Sequence, residues 1–339
     1  MTFDPVAYRT ARGDSAPELA LPGKASQYPS VKGRVMAVVV TYHPCLKRLR
    51  RLIEALAPQV FGILVIDNGS DTSDIEGLLE ESLTTHVELV RMGANLGLGR
   101  AQNEGIRRVR SWSPEHVLLM DQDSEPDPSM VARLREALDA REDAAAVGPT
   151  YLARALGRRS GFVSVRGLRM LRKHCGCVKD VLEVDHLIAS GSLISMRALD
   201  RIGGLREDLF IDYVDIEWGL RARSQGMRLY GVCSAGMSHR LGDGSLRILG
   251  HSIPQYSPQR IYYQVRNSLL LLREPFVPIN WKLVNLRQVV LRCMVHVFRV
   301  RPMRPYLKMI GLAIWHGIQG RSGPLSRAAL ETLKDEEMI

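Results

Sequence analysis

The stretch His116-Val117-Leu118-Leu119-Met120-Asp121-Gln122-Asp123 decides how this chain is read. An apolar run ending in two acids one residue apart is a buried strand that delivers polar side chains to the carboxyl edge of a sheet. That edge is where α/β enzymes bind ligands. Side chains two apart on a strand point the same way, so Asp121 and Asp123 can serve one ligand set if the strand geometry persists. Neighbouring carboxylates repel, and a hard divalent cation, Mg2+ or Mn2+, neutralises them. Mg2+ takes one or two carboxylates and fills its shell with water and substrate phosphates, so a diphosphate is the expected ligand. Taken alone, Asp121-Gln122-Asp123-Ser124 followed by Glu125-Pro126-Asp127-Pro128 reads equally well as an ordinary turn.

The segments upstream repeat one pattern. Arg34 to Thr41 is a Val-rich buried strand, and Leu46 to Leu56 is a helix with Leu49, Leu52, Ile53 and Leu56 on one face. A strand over Gly62 to Ile66 ends in Asp67-Asn68-Gly69-Ser70. A helix over Asp74 to Ser82 and a strand over Val87 to Arg91 follow. Gly97 to Val109 is then a helix opened by a glycine-rich turn, before the strand Val117 to Met120. Strands alternating with helices predict a parallel, right-handed α/β sheet. Downstream the pattern loosens. Met130 to Ala140 reads as a helix, Ala144 to Pro149 as a short strand, and the basic, irregular residues 154–183 as a loop over the site. Leu187 to Ser195 reads as a strand, Ala198 to Ile202 as a helix stopped by Gly203 and Gly204, and Asp215 to Gln225 as a helix stopped by Gly226. Arg228 to Cys233 is a strand leading to His239. Residues 1–32, rich in Pro, Ser and Gly without periodicity, are expected to be a poorly ordered arm.

With 339 residues the chain can bury a substantial core, and its composition excludes fibrous and disordered classes. The net charge of +10 is uneven: Pro275 to Leu330 holds nine Lys or Arg and no acid. That argues for an anionic partner at the C-terminal part, phospholipid or nucleic acid. Asn280 to Arg321 mixes Leu, Val, Met and Trp with spaced cations, the pattern of basic amphipathic helices. Such helices either lie on an anionic membrane or pack on a catalytic domain with a solvated basic face. No uninterrupted apolar stretch reaches the roughly 18 to 20 residues of a spanning helix. No apolar leader is visible either, so a cytoplasmic protein, soluble or peripheral, is expected. The five cysteines, Cys45, Cys175, Cys177, Cys233 and Cys293, make no framework, and reduced thiols are expected.

Several groups carry candidate chemistry. Asp67 with Asn68 can read a nucleobase edge, or the segment is an Asx-type turn. Asn95-Leu96-Gly97-Leu98-Gly99, with Arg100 and Asn103, can bring backbone N–H groups to a phosphate, or simply joins strand to helix. Asp212, Asp215 and Glu217 cluster where Leu209-Phe210-Ile211 becomes a helix. Asp215 either caps that helix or acts as a general base among apolar neighbours. Glu217 and Arg221 are an i,i+4 pair. His239 can complete a metal shell or is an ordinary satisfied or exposed histidine, and Arg260, Tyr263, Arg266 and Asn267 share one helix whose arginines either clamp a diphosphate or form a solvated basic face.

The order of the pieces is more specific than any piece. Val38-Val39-Val40-Thr41-Tyr42, Ile66 to Ser70, Asn95 to Gly99 with Asn103, Leu119 to Asp123, Gly191-Ser192-Leu193 and Phe210 to Arg221 follow one another at sensible distances. Over residues 34–275 the chain resembles an inverting family-two glycosyltransferase of the GT-A fold. Phe210 to Glu217 and Met120 to Ser124 more narrowly resemble bacterial rhamnosyltransferases of the O-antigen and rhamnolipid type. The resemblance implies a Rossmann-like, mainly parallel sheet flanked by helices over 33–275, with a nucleotide-binding half (33–125), an acceptor half (126–275) and a basic helical extension (276–339). It implies that Thr41, Tyr42, Asp67, Asn68, Asn95, Gly97, Arg100, Asn103, Asp121, Gln122 and Arg266 bind the nucleotide sugar. Asp121, Asp123 and His239 would hold Mg2+ or Mn2+, and Asp215, or Asp212, would be the base. Many family members have Glu-Asp where this chain has Val214-Asp215. The implied donor is dTDP-β-L-rhamnose. The implied acceptor is a saccharide or lipid-linked one, in surface polysaccharide, lipopolysaccharide or rhamnolipid synthesis, on the cytoplasmic side of the inner membrane. Another sugar nucleotide, a sugar-phosphate nucleotidyltransferase and a nucleic-acid-binding protein are the alternatives. The second lacks its glycine-rich loop after the first strand, and the third lacks interleaved aromatics in the basic tail.

Overall fold

The computed structural model describes residues 34–71, 74–80, 86–153, 158–176, 180–239, 244–248, 251–326 and 329. The expected N-terminal arm lies outside them. The first half follows the predicted alternation: β1 (Val35–Thr41), α1 (Leu46–Leu56), β2 (Gly62–Asp67), α2 (Ile75–Glu80), β3 (His86–Arg91), α3 (Leu98–Val109) and β4 (His116–Asp121). Then come β5 (Glu125–Pro126), α4 (Met130–Asp139), β6 (Ala144–Ala153), β7 (Arg158–Arg159), the hairpin β8 (Phe162–Arg166) and β9 (Arg169–Lys173), β10 (Val181–Val184) and β11 (Leu193–Ser195). α5 (Met196–Ile202), α6 (Val214–Ser224), β12 (Arg228–His239), the hairpin β13 (Gly244–Ile248) and β14 (His251–Gln255), and the helices α7 (Pro258–Leu272), α8 (Ile279–Arg299) and α9 (Met303–Gln319) complete the order.

The main sheet runs β10-β12-β6-β11-β4-β1-β2-β3. β4, β1, β2 and β3 are parallel, as the alternation predicts. The far half is mixed, because β11 runs antiparallel to both β4 and β6 while β12 is parallel to β6. Strand order turns back between β1 and β4, and in open α/β sheets ligands bind at the carboxyl ends beside such a reversal.

Every residue of β1 and β2 is buried. Alternation divides them between two cores. Met36, Val38, Val40, Leu64, Ile66, Val117 and Leu119 enter the core covered by α3, α5, α6 and the three C-terminal helices. Val35, Ala37, Val39, Ile63, Val65, Leu118 and Met120 enter the core under α1, α2 and α4. Each fully buried Leu or Ile here contributes about 1.5–3 kcal/mol. This parity sets the site: Asp121 continues the face of Val117 and Leu119, whereas Asp67 continues the face of Ile63 and Val65.

Three expectations change. The predicted loop over 154–183 contains the β8–β9 hairpin, paired from Phe162 with Lys173 to Arg166 with Arg169. Cations on its exposed strand mask the alternation, while Phe162, Ser164 and Val165 are buried. The predicted strand over Leu187–Ser195 is confined to its last three residues. The cysteines are not all reduced: Cys175 and Cys233 form a disulfide, while Cys45 and Cys293 are free. The pairing joins residues 58 apart in sequence, which no local spacing reveals. Among the described residues no helix is long and apolar enough to cross a membrane.

Candidate active site

The acids of the opening stretch sit at the end of β4 and in the turn that follows, closed by Ser124 N–H donating to the Asp121 carbonyl at 3.2 Å. The turn and the metal reading are therefore compatible. Ligand atoms of Asp121, Asp123 and His239 lie within 4.8 Å of one another. His239 arrives from the end of β12, which is parallel to β6 with a bulge between Val232 and Gly236. A hydroxyl relay fixes its ring: Ser190 Oγ accepts from Asp121 N–H at 3.1 Å and lies 2.6 Å from Ser124 Oγ, which is 2.8 Å from His239 Nδ1. Nδ1 is also the ring nitrogen that faces the acids, 3.6 Å from the Asp123 carboxylate, so the relay orients the imidazole against the acidic pair. Burial raises the Asp121 carboxyl above its ordinary range, the Asp123 charge adds to that, and His239 and Arg260 oppose it. A cation placed among the three would relieve that desolvation and repulsion. Two carboxylates and an imidazole suit Mg2+ or Mn2+, so the residues present fit the ion.

These side chains open into a cavity of about 600 Å3, within the range that holds small-molecule ligands. On the β1–β4 side it is lined by Thr41, Tyr42, Asn68, Asn95, Gly97, Asp121, Gln122 and Asp123. Gln122, between the two acids, pairs with the Tyr42 backbone through both amide atoms, at 2.7 and 3.0 Å. Asn68 bonds Asn95 at 3.0 Å and accepts from Leu96 N–H at 2.9 Å, tying the β2 turn to the turn before α3.

Asp212 and Asp215 also line the cavity, and their environments differ. Arg260 grips Asp212 with two contacts of 3.2 Å. Asp215, in the first turn of α6, accepts only backbone N–H groups, from Ala189 at 3.0 Å and Ile216 at 2.8 Å. Burial pushes its carboxyl up to about 6, with the Asp212 and Asp121 charges adding and the two hydrogen bonds opposing. It does not cap the helix, since the N-cap position is Tyr213 in a left-handed conformation. Glu217 pairs with Arg221 at 2.8 Å and is buried, as its spacing predicts.

The loop before α6 is strained: Phe210, Asp212 and Tyr213 have φ of 68°, 59° and 68°. Such residues cost about 1–3 kcal/mol each and persist where the surroundings over-determine them. Here Asn267 Nδ2 donates to the carbonyls of Leu209, Ile211 and Asp212 at 3.0, 2.8 and 2.9 Å, and Arg266 donates to Leu209 at 2.9 Å. Leu98 N–H donates to the Phe210 carbonyl at 2.6 Å.

Four expected binding residues are not brought to the cavity. Asp67 is 1% exposed, its oxygens taken by Thr41, Ser70 and Arg91, because strand parity turns it to the other face. Arg266 is likewise 1% exposed and spent on carbonyls, and Arg260 is the arginine of α7 that reaches the cavity. Asn103 holds the loop at Leu205 and Glu207, and Arg100 faces a separate surface hollow beside it. The glycine turn also differs from its phosphate reading. Gly97 N–H bonds Asn95 and Leu98 N–H bonds Phe210, while Gly97, at φ 93°, lets that loop approach.

Sequence reasoning missed a wall. Trp281, Asn285, Gln288 and Arg292 of α8 line the cavity at spacings of four, three and four, one helical face. Arg172 and His186 join them, and burial lowers the His186 imidazole to about 4, so it is neutral.

Against known proteins, the family model described as Glycosyl transferase family 2 matches residues 37–202. The dTDP-rhamnosyl transferase RfbF of Shigella flexneri is 33% identical over 299 residues, covering 86% of this chain and 98% of that protein. The structure of S. aureus TarS 1–349 is similar with a TM-score of 0.55 at 14% identity, covering 85% of this chain and 81% of that one. GalNAc-T7 with UDP, GalNAc and Mn2+ matches at 0.53 and 12% identity, covering 85% of this chain and 58% of that one. At such identities the structural likeness speaks to the fold, which is the mixed α/β GT-A type with helices appended at the C-terminus.

Proposed function

The chain belongs to glycosyl transferase family 2, and from that premise we propose that it transfers L-rhamnose from dTDP-β-L-rhamnose to a saccharide or glycolipid acceptor, inverting the anomeric carbon. The reaction would serve bacterial surface polysaccharide, lipopolysaccharide or rhamnolipid synthesis at the cytoplasmic face of the inner membrane. That it is a glycosyltransferase follows from the family; the rhamnosyl donor is supported by the 33% identity to a dTDP-rhamnosyl transferase along nearly all of that protein. The observation that carries the mechanism is the presence of two unlike acidic groups in one cavity. Asp121, Asp123 and His239 converge on one another, and Asp215, a buried carboxylate within reach of the Asp121 charge, lines the same cavity with no cationic partner among the described residues.

On this reading residues 33–125 form the donor half, 126–275 the acceptor half and 276–339 a basic helical extension. Tyr42, Asn68 and Asn95 border the nucleoside, and Asp67 fixes the turn that presents Asn68. Asp121, Asp123 and His239 would hold Mg2+ or Mn2+, which when bound supplies positive charge to the donor diphosphate. Asp215 takes the proton from the acceptor hydroxyl. As that proton leaves, the hydroxyl oxygen bonds the anomeric carbon and the bond to the diphosphate oxygen breaks on the opposite face. A carboxyl raised to about 6 is still ionised at neutral pH and is a stronger base than an ordinary aspartate. Asp212, held by Arg260, shapes the loop instead of accepting the proton.

Incubation of the full chain with Mn2+, dTDP-L-rhamnose and a saccharide acceptor tests the proposal. Release of dTDP with a rhamnosylated product is expected. Turnover confined to a UDP- or GDP-sugar would replace the donor.

A further inference from the structure

The C-terminal helices leave an outward face that the catalytic reading does not use. On α8, Ile279, Leu283, Leu286, Val290, Met294 and Phe298 are exposed, at spacings of three and four. On α9, Leu307, Ile314, Trp315 and Ile318 are exposed, with Arg304 and Lys308 on the same arc. Phe298 is 68% exposed and Trp315 57%. Both helices already bury an inner face: Trp281, Val284, Val289 and Val297 of α8, Tyr306, Met309 and Ala313 of α9. The outward apolar residues are therefore surplus to the fold. An exposed apolar stripe on each of two adjoining helices is the kind of surface that marks an interaction site.

We propose that the outer face of α8 and α9 docks on an anionic phospholipid surface. The charges select that occupant. Arg287, Arg304 and Lys308 are exposed beside the apolar side chains, Arg299 and Arg301 are exposed where α8 passes to α9, and the sequence from Pro275 to Leu330 contains no Asp or Glu. A helix that offers apolar residues and cations together lies in the headgroup region, with Trp at the boundary between acyl chain and water. A second copy is the competing occupant, and the same charges oppose it. A two-fold contact sets a patch against its own image, here cation against cation, with no acid within Pro275 to Leu330.

The face is joined to the cavity by one helix. α8 turns Trp281, Asn285, Gln288 and Arg292 inward to the cavity and its apolar stripe outward. Bilayer and acceptor side would thus be separated by about one helix diameter, roughly 10 Å. A saccharide on a lipid carrier could enter beside α8 without leaving its membrane; this consequence, unlike the docking itself, rests on the glycosyltransferase reading.

Sedimentation of the full chain with phosphatidylglycerol-containing vesicles, against pure phosphatidylcholine vesicles, tests the docking. Binding to the anionic vesicles alone is expected. The double variants Trp315→Glu with Ile318→Glu, and Arg304→Glu with Lys308→Glu, should each lower it at least tenfold, with circular dichroism melting showing that they remain folded. Binding indifferent to lipid charge, binding undiminished in both variants, or a concentration-dependent dimer abolished by the same variants overturns the proposal. Vesicle binding needs no turnover. A chain that binds vesicles but releases no dTDP removes the donor reading alone, and one that transfers rhamnose without binding vesicles removes this one alone.

Discussion

Arg260 holds the Asp212 carboxylate through two contacts of 3.2 Å, whereas Asp215, three residues later, meets only backbone N–H groups. The ion pair spends one acid on structure and leaves the other poised. Asp215→Asn is therefore expected to lower kcat by about 10²–10⁴, the range of a lost general base, with donor affinity kept. Asp212→Asn should cost far less. Steady-state kinetics beside calorimetric dTDP binding measure both, and equal losses would show that the acids share the proton.

The pH dependence follows from the same burial. The base must be ionised, and desolvation places Asp215 at about 6. kcat/KM should rise about tenfold per pH unit below that value and level off above it. The Asp212 charge contributes to the upward shift, so Asp212→Asn should move the midpoint to lower pH. A midpoint near 4 in the unaltered protein would remove Asp215 from the role.

Metal affinity should depend on the relay as well as on the ligands. Asp123→Ala and His239→Ala are expected to weaken Mn2+ binding most. Ser124→Ala, which removes the hydroxyl contact to His239 Nδ1, should weaken it roughly 10–100-fold. Electron paramagnetic titration of Mn2+ reads this without turnover, and unchanged affinity in all three would place the ion elsewhere.

Asn267 serves three carbonyls of the strained loop with one amide group. Asn267→Ala should destabilise the protein by about 2–3 kcal/mol, because buried carbonyls lose their donor. Urea unfolding measures this, and a slower kcat in the folded fraction is expected since the loop leads into the first turn of α6, which carries Asp215.

Gly97→Ala tests the other support of that loop. A Cβ there would lie 2.8 Å from the Phe210 carbonyl oxygen, on a backbone at φ 93°. A loss of about 1–3 kcal/mol is expected in thermal unfolding. A neutral substitution would mean that the loop and the α3 turn do not constrain one another.

The sequence by itself determined the alternating strands and helices of the first half, the placement of Asp121 and Asp123 at a sheet edge, the Glu217–Arg221 pair and the helical, basic character of Asn280 to Arg321. Each of these is a repeat of two or 3.6 residues, or a contact within one helical turn, so a few neighbouring residues settle it. Only the tertiary structure decided that Asp67 faces away from the cavity, that Arg266 and Asn267 clasp a loop more than 50 residues distant, that Cys175 meets Cys233, and that α8 walls the cavity. Those outcomes depend on which faces meet when distant segments pack. No local periodicity encodes the partner of a buried polar group; the desolvation it must escape does, and that is set only once the core has closed around it.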